Sequence, residues 1–599
     1  MSTQRYTVTP HTIETILTWV KSKEVAIPEI QRPFVWDATK VRNLLDSLYL
    51  GYPVGYLIIW QNPTVKLKDG SKSSGKKILI DGQQRVLALM ASILGKELIT
   101  KAYQRVKIRI AFNPIEEIFE VANPAIQNDT RWIYDIADLF NPQSSLIQSL
   151  KKYMLLNPEQ NEDNISGILE KLRKLIYNNV GVITLDSDLD IDTVTEIFIR
   201  VNSAGSPLSQ ADFAMSKIAV NESYGGNVLR KAIDYFCHLA VRPEFSDTIN
   251  DNDPGFSQTD YYAKMEWLKN ENDEIYDPRY TDVLRVSFAT QFKRGKLQDL
   301  VALISGRNFV SKDYEESIIE DSFRKLKQGF MNFIGEHHFK SFILIIRSAG
   351  FVDASLIGAQ NSLNFAYIAY WLLKDEQKYK PHDIASLVRR WFVFTMLTGR
   401  YSSSPETTFE ADLKQIEGNG FEKFCTDNVK ARLSDDYWEA VLPMEMDKSL
   451  ITSPYFKVFR AAQVKMGDKG FLSRDLTTRE LIEVKSDVHH IFPRALLKSL
   501  GKTKSQYNQI ANFAITQSEI NIAIGKQAPM DYMQKVIMQC NGGTQLYGNI
   551  LDMDELMTNL KMNCIPMELA EMAAEHYEVF LELRRKLMAE KIRTYFNSL

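Results

Sequence analysis

From Asp37 onward, apolar side chains at Val41, Leu44, Leu45 and Leu48 recur at helical spacing. Asp37 is placed to cap the first turn and Gly51 to stop the run. Val54 to Trp60 then reads as a short apolar strand, and Ile78 to Ile80 as a second one running into Asp81-Gly82-Gln83-Gln84-Arg85. Val86 to Leu94 is helical and Gly95 ends it. Arg105 to Phe112 alternates, with Val106, Ile108, Ile110 and Phe112 on one face and Lys107 and Arg109 on the other. Val180 to Leu185 predicts another strand and Ile191 to Val201 a helix. Ser209 opens the next helix, with Asp212 completing a capping box. From about 225 to 450 the period is helical throughout, including a buried helix around Trp391 to Leu397. Exposed loops are expected at Ser246 to Asp260 and Arg400 to Thr408, and a linker at 465 to 475. The last segment reads strand, loop, strand, helix, and then helices to Leu599. The pattern predicts a multidomain α+β protein, with domains at 1–225, 226–465 and 466–599.

The chain has 599 residues, too many for one hydrophobic core, which agrees with several domains. With 25% charged residues and 45% hydrophobic ones, it is excluded from disordered, collagen-like and coiled-coil-rod classes. No apolar run approaches the ~20 residues of a membrane span. The first residues, MSTQRYTVTP, lack the apolar core of a signal peptide, and the four cysteines form no CxxC pair. A cytoplasmic protein without membrane contact is expected, with neither a disulfide framework nor a cysteine zinc site. A net charge of −3 means that any nucleic-acid surface must be local. Two such places exist. Lys66, Lys68, Lys72, Lys76 and Lys77 face the single acid Asp69, and the stretch from Lys485 to Lys526 holds six basic residues against two acids. Such runs also suit an ordinary solvated face.

Four of the eight histidines form two adjacent pairs. His337-His338 has no Asn or acid following at useful spacing and reads as a surface or helix-packing pair. His489-His490 lies in Asp487-Val488-His489-His490-Ile491-Phe492-Pro493, where Pro493 forbids continuation of the strand. Ala511 to Thr516 reads as a second strand containing Asn512, and Ser518-Glu519 opens a helix carrying Asn521. Hydrolysis of a phosphodiester needs an activated water and a cation on the leaving oxygen. A neutral imidazole suits the base, and one His with one Asn carbonyl can hold a single divalent ion with open water positions. An Asn beside the base can fix its tautomer by hydrogen bonding through backbone or ring. Adjacent residues of a strand point to opposite sides, so the two histidines can take different tasks.

These residues resemble the HNH (ββα-metal) nuclease motif, most closely the variant at the C-terminus of GmrSD-type modification-dependent restriction enzymes. The resemblance implies His490 as general base and Asn512 as the residue that orients it. It implies His489 and Asn521 as ligands of Mg²⁺ or Mn²⁺, with Asp487 assisting, and Arg494, Lys498 and Lys526 as DNA contacts. Twenty-one residues separate His490 from Asn512, and the CxxC zinc pairs of many HNH proteins are absent.

At the other end, Gly82 between a strand and a helix lets backbone amides approach an anion, and Arg85 can add a bidentate phosphate contact. Asp81 could hold a metal or polarise a water. A tight turn before a polar helix start would look the same. Ile27 to Trp36 with Gln31 and Arg32, Gly51-Tyr52-Pro53-Val54-Gly55, and Phe198-Ile199-Arg200-Val201-Asn202 accompany it. Together they resemble the ParB/sulfiredoxin-like N-terminal domain of the same GmrSD-type proteins, including BrxU-like members. The resemblance implies a site for binding and hydrolysing a nucleoside triphosphate, formed by Asp81, Gly82, Gln83, Gln84, Arg85, Gln31, Arg32, Arg200 and Asn202. No glycine loop of the GxxxxGK type is present, so such hydrolysis would not follow that design. Gly399-Arg400-Tyr401-Ser402 is family-like without an assigned role.

The expectation is a bacterial, nucleotide-regulated endonuclease acting on modified double-stranded phage DNA, an anti-phage restriction enzyme. Cutting two strands with one active site per chain favours a homodimer. The alternatives are a ParB-like nucleotide switch with a degenerate nuclease domain, a phosphorothioate-sensing nickase, and an RNA nuclease.

Overall fold

The computed structural model describes residues 5–599 apart from 23, 27–35, 62–76, 100–104, 142–143, 188, 190–192, 194–196, 198–208, 272–274, 449 and 487. The basic run from Lys66 to Lys76 and most of the helix expected at Ile191 to Val201 lie outside the described residues. The chain divides once by compactness, into residues 1–242 and 243–599.

Nine of the strands belong to the first unit: β1 (Tyr6–Thr12), β2 (Val25–Ala26), β3 (Leu57–Gln61), β4 (Lys77–Asp81), β5 (Leu98–Ile99), β6 (Arg105–Val106), β7 (Ile110–Asn113), β8 (Ile118–Val121) and β9 (Asn179–Leu185). Five of them form one mixed sheet in the order β1-β9-β3-β4-β2, with β9/β3 and β4/β2 parallel and the other pairs antiparallel. Helices Ile13–Lys21, Ala38–Tyr49 and Gln83–Leu94 contribute to the main core with Leu57, Ile59 and Leu79. Ile58, Trp60 and Ile80 form a second cluster with Leu185 and Leu189. Burial on both faces explains why β3 is a continuous apolar run and not an alternating one. Asp37 caps the helix Ala38–Tyr49, and Ser209 with Asp212 forms the capping box of Gln210–Val220. The strand expected from Arg105 to Phe112 is broken between β6 and β7. Ile110, Ala111, Phe112 and Asn113 are all buried, so the apparent alternation ends where the chain enters the core.

Among the described residues, the second unit's elements are helices apart from β10 (Val488–His490) and β11 (Phe513–Ile515). The segments expected as helical middle and C-terminal domain share one core here. Ser386 Oγ donates to Leu599 O at 2.7 Å, and Tyr595 on the helix Tyr577–Asn597 donates to Ala349 O. Ser246 to Asp260 is not an exposed loop. Helix Phe245–Asn252 occupies its first half, with Ile249 buried and Ser246 bonded to the Tyr262 hydroxyl at 2.9 Å. The family-like Gly399-Arg400-Tyr401 turn is a structural lock. Arg400 Nε donates to buried Asp412 at 2.8 Å, and the Tyr401 hydroxyl donates to the same carboxylate at 2.8 Å.

The expected linker at 465–475 is instead buried at Asp468, Phe471, Leu472 and Ser473. Its glycine-rich, polar composition serves a turn whose backbone is satisfied from elsewhere. Asn559 Nδ2 donates to Gly470 O and Ser473 O, and its Oδ1 accepts from Leu472 N.

Candidate active site

Val488 pairs with Ile515, His489 with Ala514 and His490 with Phe513, antiparallel. The first strand ends at His490, and Pro493, three residues on, is the N-cap of helix Arg494–Ser499. The second strand leads into helix Ser518–Ile524, which carries Asn521. The second strand is shorter than expected, because Asn512 sits in the 3-10 turn Ile510–Asn512 before it.

The two histidines face different surroundings. The His489 ring is 2% exposed and stacks on Phe471 of the former linker, with centroids 5.9 Å apart. Its Nδ1 lies 2.7 Å from Asn521 Oδ1, while its buried Nε2 has no hydrogen-bond partner. Burial pulls its pKa down to about 4, so the ring is neutral, with its proton on the Nδ1 that faces Asn521. The His490 ring is half-buried, edge-on to Phe513, and its Nε2 lies 2.9 Å from Asn508 Oδ1. Burial lowers its pKa as well, and the Arg494 charge acts in the same direction against the Asn508 bond.

The metal implied by the motif can be tested against these donors. Asn521 Oδ1 accepts from His489 Nδ1–H, and the two atoms would stand as adjacent ligands of one divalent ion once that proton has moved to the unpartnered Nε2. Neither is charged, so a carboxylate is needed for firm binding. No cluster of three or more His, Cys, Asp and Glu that could hold a metal occurs among the described residues. Asp487, the expected assistant, lies outside them. The donor set therefore fits the ion at two positions.

Asn512 does not meet the His490 ring. It is fully buried, its Oδ1 accepts from Phe492 N at 2.8 Å, and its Nδ2 donates to Phe492 O and Tyr507 O, each at 3.1 Å. The expected orienting contact belongs to Asn508, which sequence spacing did not single out. Its only signal was its position within the 21-residue gap, next to Tyr507. Arg494, Lys498 and Lys526 are exposed, and Lys485 and Lys504 with them. Lys502 is paired to Glu578 at 2.6 Å. His337-His338 packs against the helix Gln360–Asp375, with His338 Nδ1 3.0 Å from the Tyr370 hydroxyl.

In the first unit, Gly82 is the N-cap of helix Gln83–Leu94 at φ 93°, and no side chain caps that helix. Arg85 is engaged within the protein: one guanidinium nitrogen donates to Asp81 at 3.1 Å and the other to Val54 O at 3.0 Å. Asp81, Arg85 and the Gly51–Gly55 turn are thereby brought together. Gly55 is at φ 84°, and a Cβ there would sit 2.7 Å from the guanidinium. A phosphate contact by Arg85 would have to use the N–H groups these two bonds leave over or displace one of the partners. Gln83 and Gln84 lie in the first turn of the helix, while Gln31, Arg32, Arg200 and Asn202 lie outside the described residues. A Cβ at Gly82 would meet Leu57 Cδ2 at 2.2 Å in a backbone region that L-residues avoid. Gly82→Ala is therefore expected to destabilise the first unit by about 1–3 kcal/mol, read as a lower denaturant midpoint. An unchanged midpoint would count against this turn geometry.

No helix among the described residues is long and apolar enough to cross a membrane. An uncharacterized protein of Methanocaldococcus jannaschii is 23% identical, over 97% of this chain and 98% of its own length. Residues 13–219, the greater part of the first unit, match the model of the N-terminal domain of the GmrSD restriction endonuclease.

Proposed function

We propose that this chain is a metal-dependent DNA endonuclease of the modification-dependent restriction type, with phosphodiester hydrolysis at His490 and nucleotide control from the first unit. The observation that carries this reading is the pairing on one strand–strand–helix scaffold: His489 Nδ1 with Asn521 Oδ1, and His490 Nε2 with Asn508 Oδ1. The similarity of residues 13–219 to a restriction endonuclease domain supports DNA as the substrate.

In this reading His490 takes a proton from water while the water oxygen bonds to phosphorus. The P–O bond to the leaving oxygen breaks, and that oxygen is protonated from solvent. Burial, which lowers the pKa of the ring, favours this role. His489 and Asn521 would hold Mg²⁺ or Mn²⁺, which when bound stabilises charge on the leaving oxygen. Arg494, Lys498 and Lys526 supply exposed positive charge for the phosphate backbone. Asp81 to Arg85 would bind the nucleoside triphosphate at the uncapped helix start.

The test is cleavage of DNA carrying plain, hydroxymethylated or glucosylated cytosine or a phosphorothioate backbone, with and without each nucleotide and metal, beside RNA. Metal-dependent cutting of a modified DNA is expected, and its loss on chelation. Intact DNA under every condition removes the nuclease reading and leaves the nucleotide switch. Cutting of RNA alone removes DNA as the substrate. Nucleotide turnover unaltered in Asp81→Ala and Arg85→Ala would remove the assigned nucleotide site.

A further inference from the structure

The residue that offers itself as the orienter of His490 by motif, Asn512, turns its amide to backbone and makes no hydrogen bond with the ring. Its amide makes three hydrogen bonds, all to backbone, on Phe492 and Tyr507. These bonds tie the segment after the first strand to the residue just before Asn508. Asn508 is fixed from several sides. It is the C-cap of the short helix Lys504–Tyr507, its amide donates to Lys504 O at 3.2 Å, and Thr503 and Gln506 form the capping box of that helix. The Tyr577 hydroxyl holds Gln506 O at 2.8 Å from the long C-terminal helix. The Tyr507 ring stands edge-on to His490, with centroids 6.2 Å apart, and Phe513 closes another side at 5.1 Å. The ring's hydrogen bond among the described residues is to Asn508 Oδ1 at 2.9 Å.

We propose that Asn508 is the positioning residue of the general base: its carbonyl oxygen accepts from His490 Nε2–H and so leaves Nδ1 as the atom that takes the proton from water. The inference rests on the nuclease reading above. An amide oxygen can only accept, so the contact requires the proton on Nε2, and a neutral imidazole has then one lone pair, on Nδ1. An acceptor oxygen at this position, of an amide or of a carboxylate, holds the proton on Nε2 and so selects this tautomer. Asn512 acts one step further out, as the clamp that sets the Asn508 turn against the strand end. The sequence thus divides between two asparagines, four positions apart, a task that motif matching assigns to one.

Two measurements on the full chain decide it. The first is steady-state cleavage. Asn508→Ala should lower kcat about 10- to 100-fold, the usual effect of removing a partner that orients a working imidazole, with KM within about twofold of wild type. Asn508→Asp keeps an acceptor oxygen at the same place and should recover most of the rate. A loss confined to KM, or an Asp variant as poor as the Ala one, overturns the proposal. The second is ¹⁵N NMR of histidine-labelled protein, with the His490 signals identified by their absence in His490→Gln. Wild type should show Nε2 protonated and Nδ1 bare, and Asn508→Ala a mixture of tautomers. A wild-type ring protonated on Nδ1, as the opposite amide orientation requires, or an unchanged ring in Asn508→Ala overturns it. Failure of wild type to cut any substrate removes the nuclease reading instead, and the ring measurement still decides whether Asn508 sets the tautomer.

Discussion

His490→Ala should lower the cleavage rate about 100- to 10,000-fold, the contribution of a positioned general base, while leaving the protein folded and able to bind DNA. The ring is half-buried and its side-chain hydrogen bond goes to Asn508, so truncation removes little packing and leaves one amide that water can reach. The exposed cations Arg494, Lys498 and Lys526 remain in place, which is why affinity should hold. The check is single-turnover cleavage beside a gel-shift titration on the same modified duplex. A variant that cuts within a few-fold of wild type would sink the assignment of the base. His489→Ala gives a less specific answer, because its stacked, buried ring also supports Phe471.

Arg584→Met should destabilise the second unit by about 3–5 kcal/mol and reduce nuclease activity with it. Arg584 is fully buried on the helix Tyr577–Asn597, and no carboxylate forms an ion pair with it among the described residues. Its guanidinium donates to Ala511 O and Phe513 O at 2.7 Å each and to Asn563 O at 3.1 Å. Burial pulls its pKa down to about 10, so it still carries its charge at neutral pH. Removing it leaves three buried carbonyls to find other donors, each worth about 1–3 kcal/mol if it fails. Two of those carbonyls flank Asn512, so the turn that clamps Asn508 should loosen too. Calorimetric unfolding, with His489 and His490 ring signals as local probes, checks both effects. An unshifted transition would mean that water or backbone replaces the guanidinium at no cost.

Local rules were legible where the cause is local. Asp37, Ser209 and Gly95 marked helix ends correctly because a cap involves only residues within one turn. The strand–strand–helix order around His489 and His490 was legible too, since Pro493 and the apolar run at 513–515 act through neighbouring backbone. Composition misled at 465–475 and 246–260. Glycine and polar residues look alike in a solvated loop and in a buried turn, and it is distant partners that distinguish the two, Asn559, Asn563 and Thr516 for the first stretch and Tyr262 for the second.

What the sequence determined by itself is the set of groups that can do chemistry: two adjacent histidines at a strand end, an asparagine on the next helix, and a glycine between β4 and the helix Gln83–Leu94. Alternation along a strand sends the histidines to opposite sides, and a φ of 93° demands glycine. The tertiary structure decided which asparagine meets which ring, that Arg85 reaches Val54, and that Phe471 walls the site. Those are choices among partners distant in sequence. They follow from which backbone groups are left unsatisfied once the core has closed, and spacing along the chain carries no record of that.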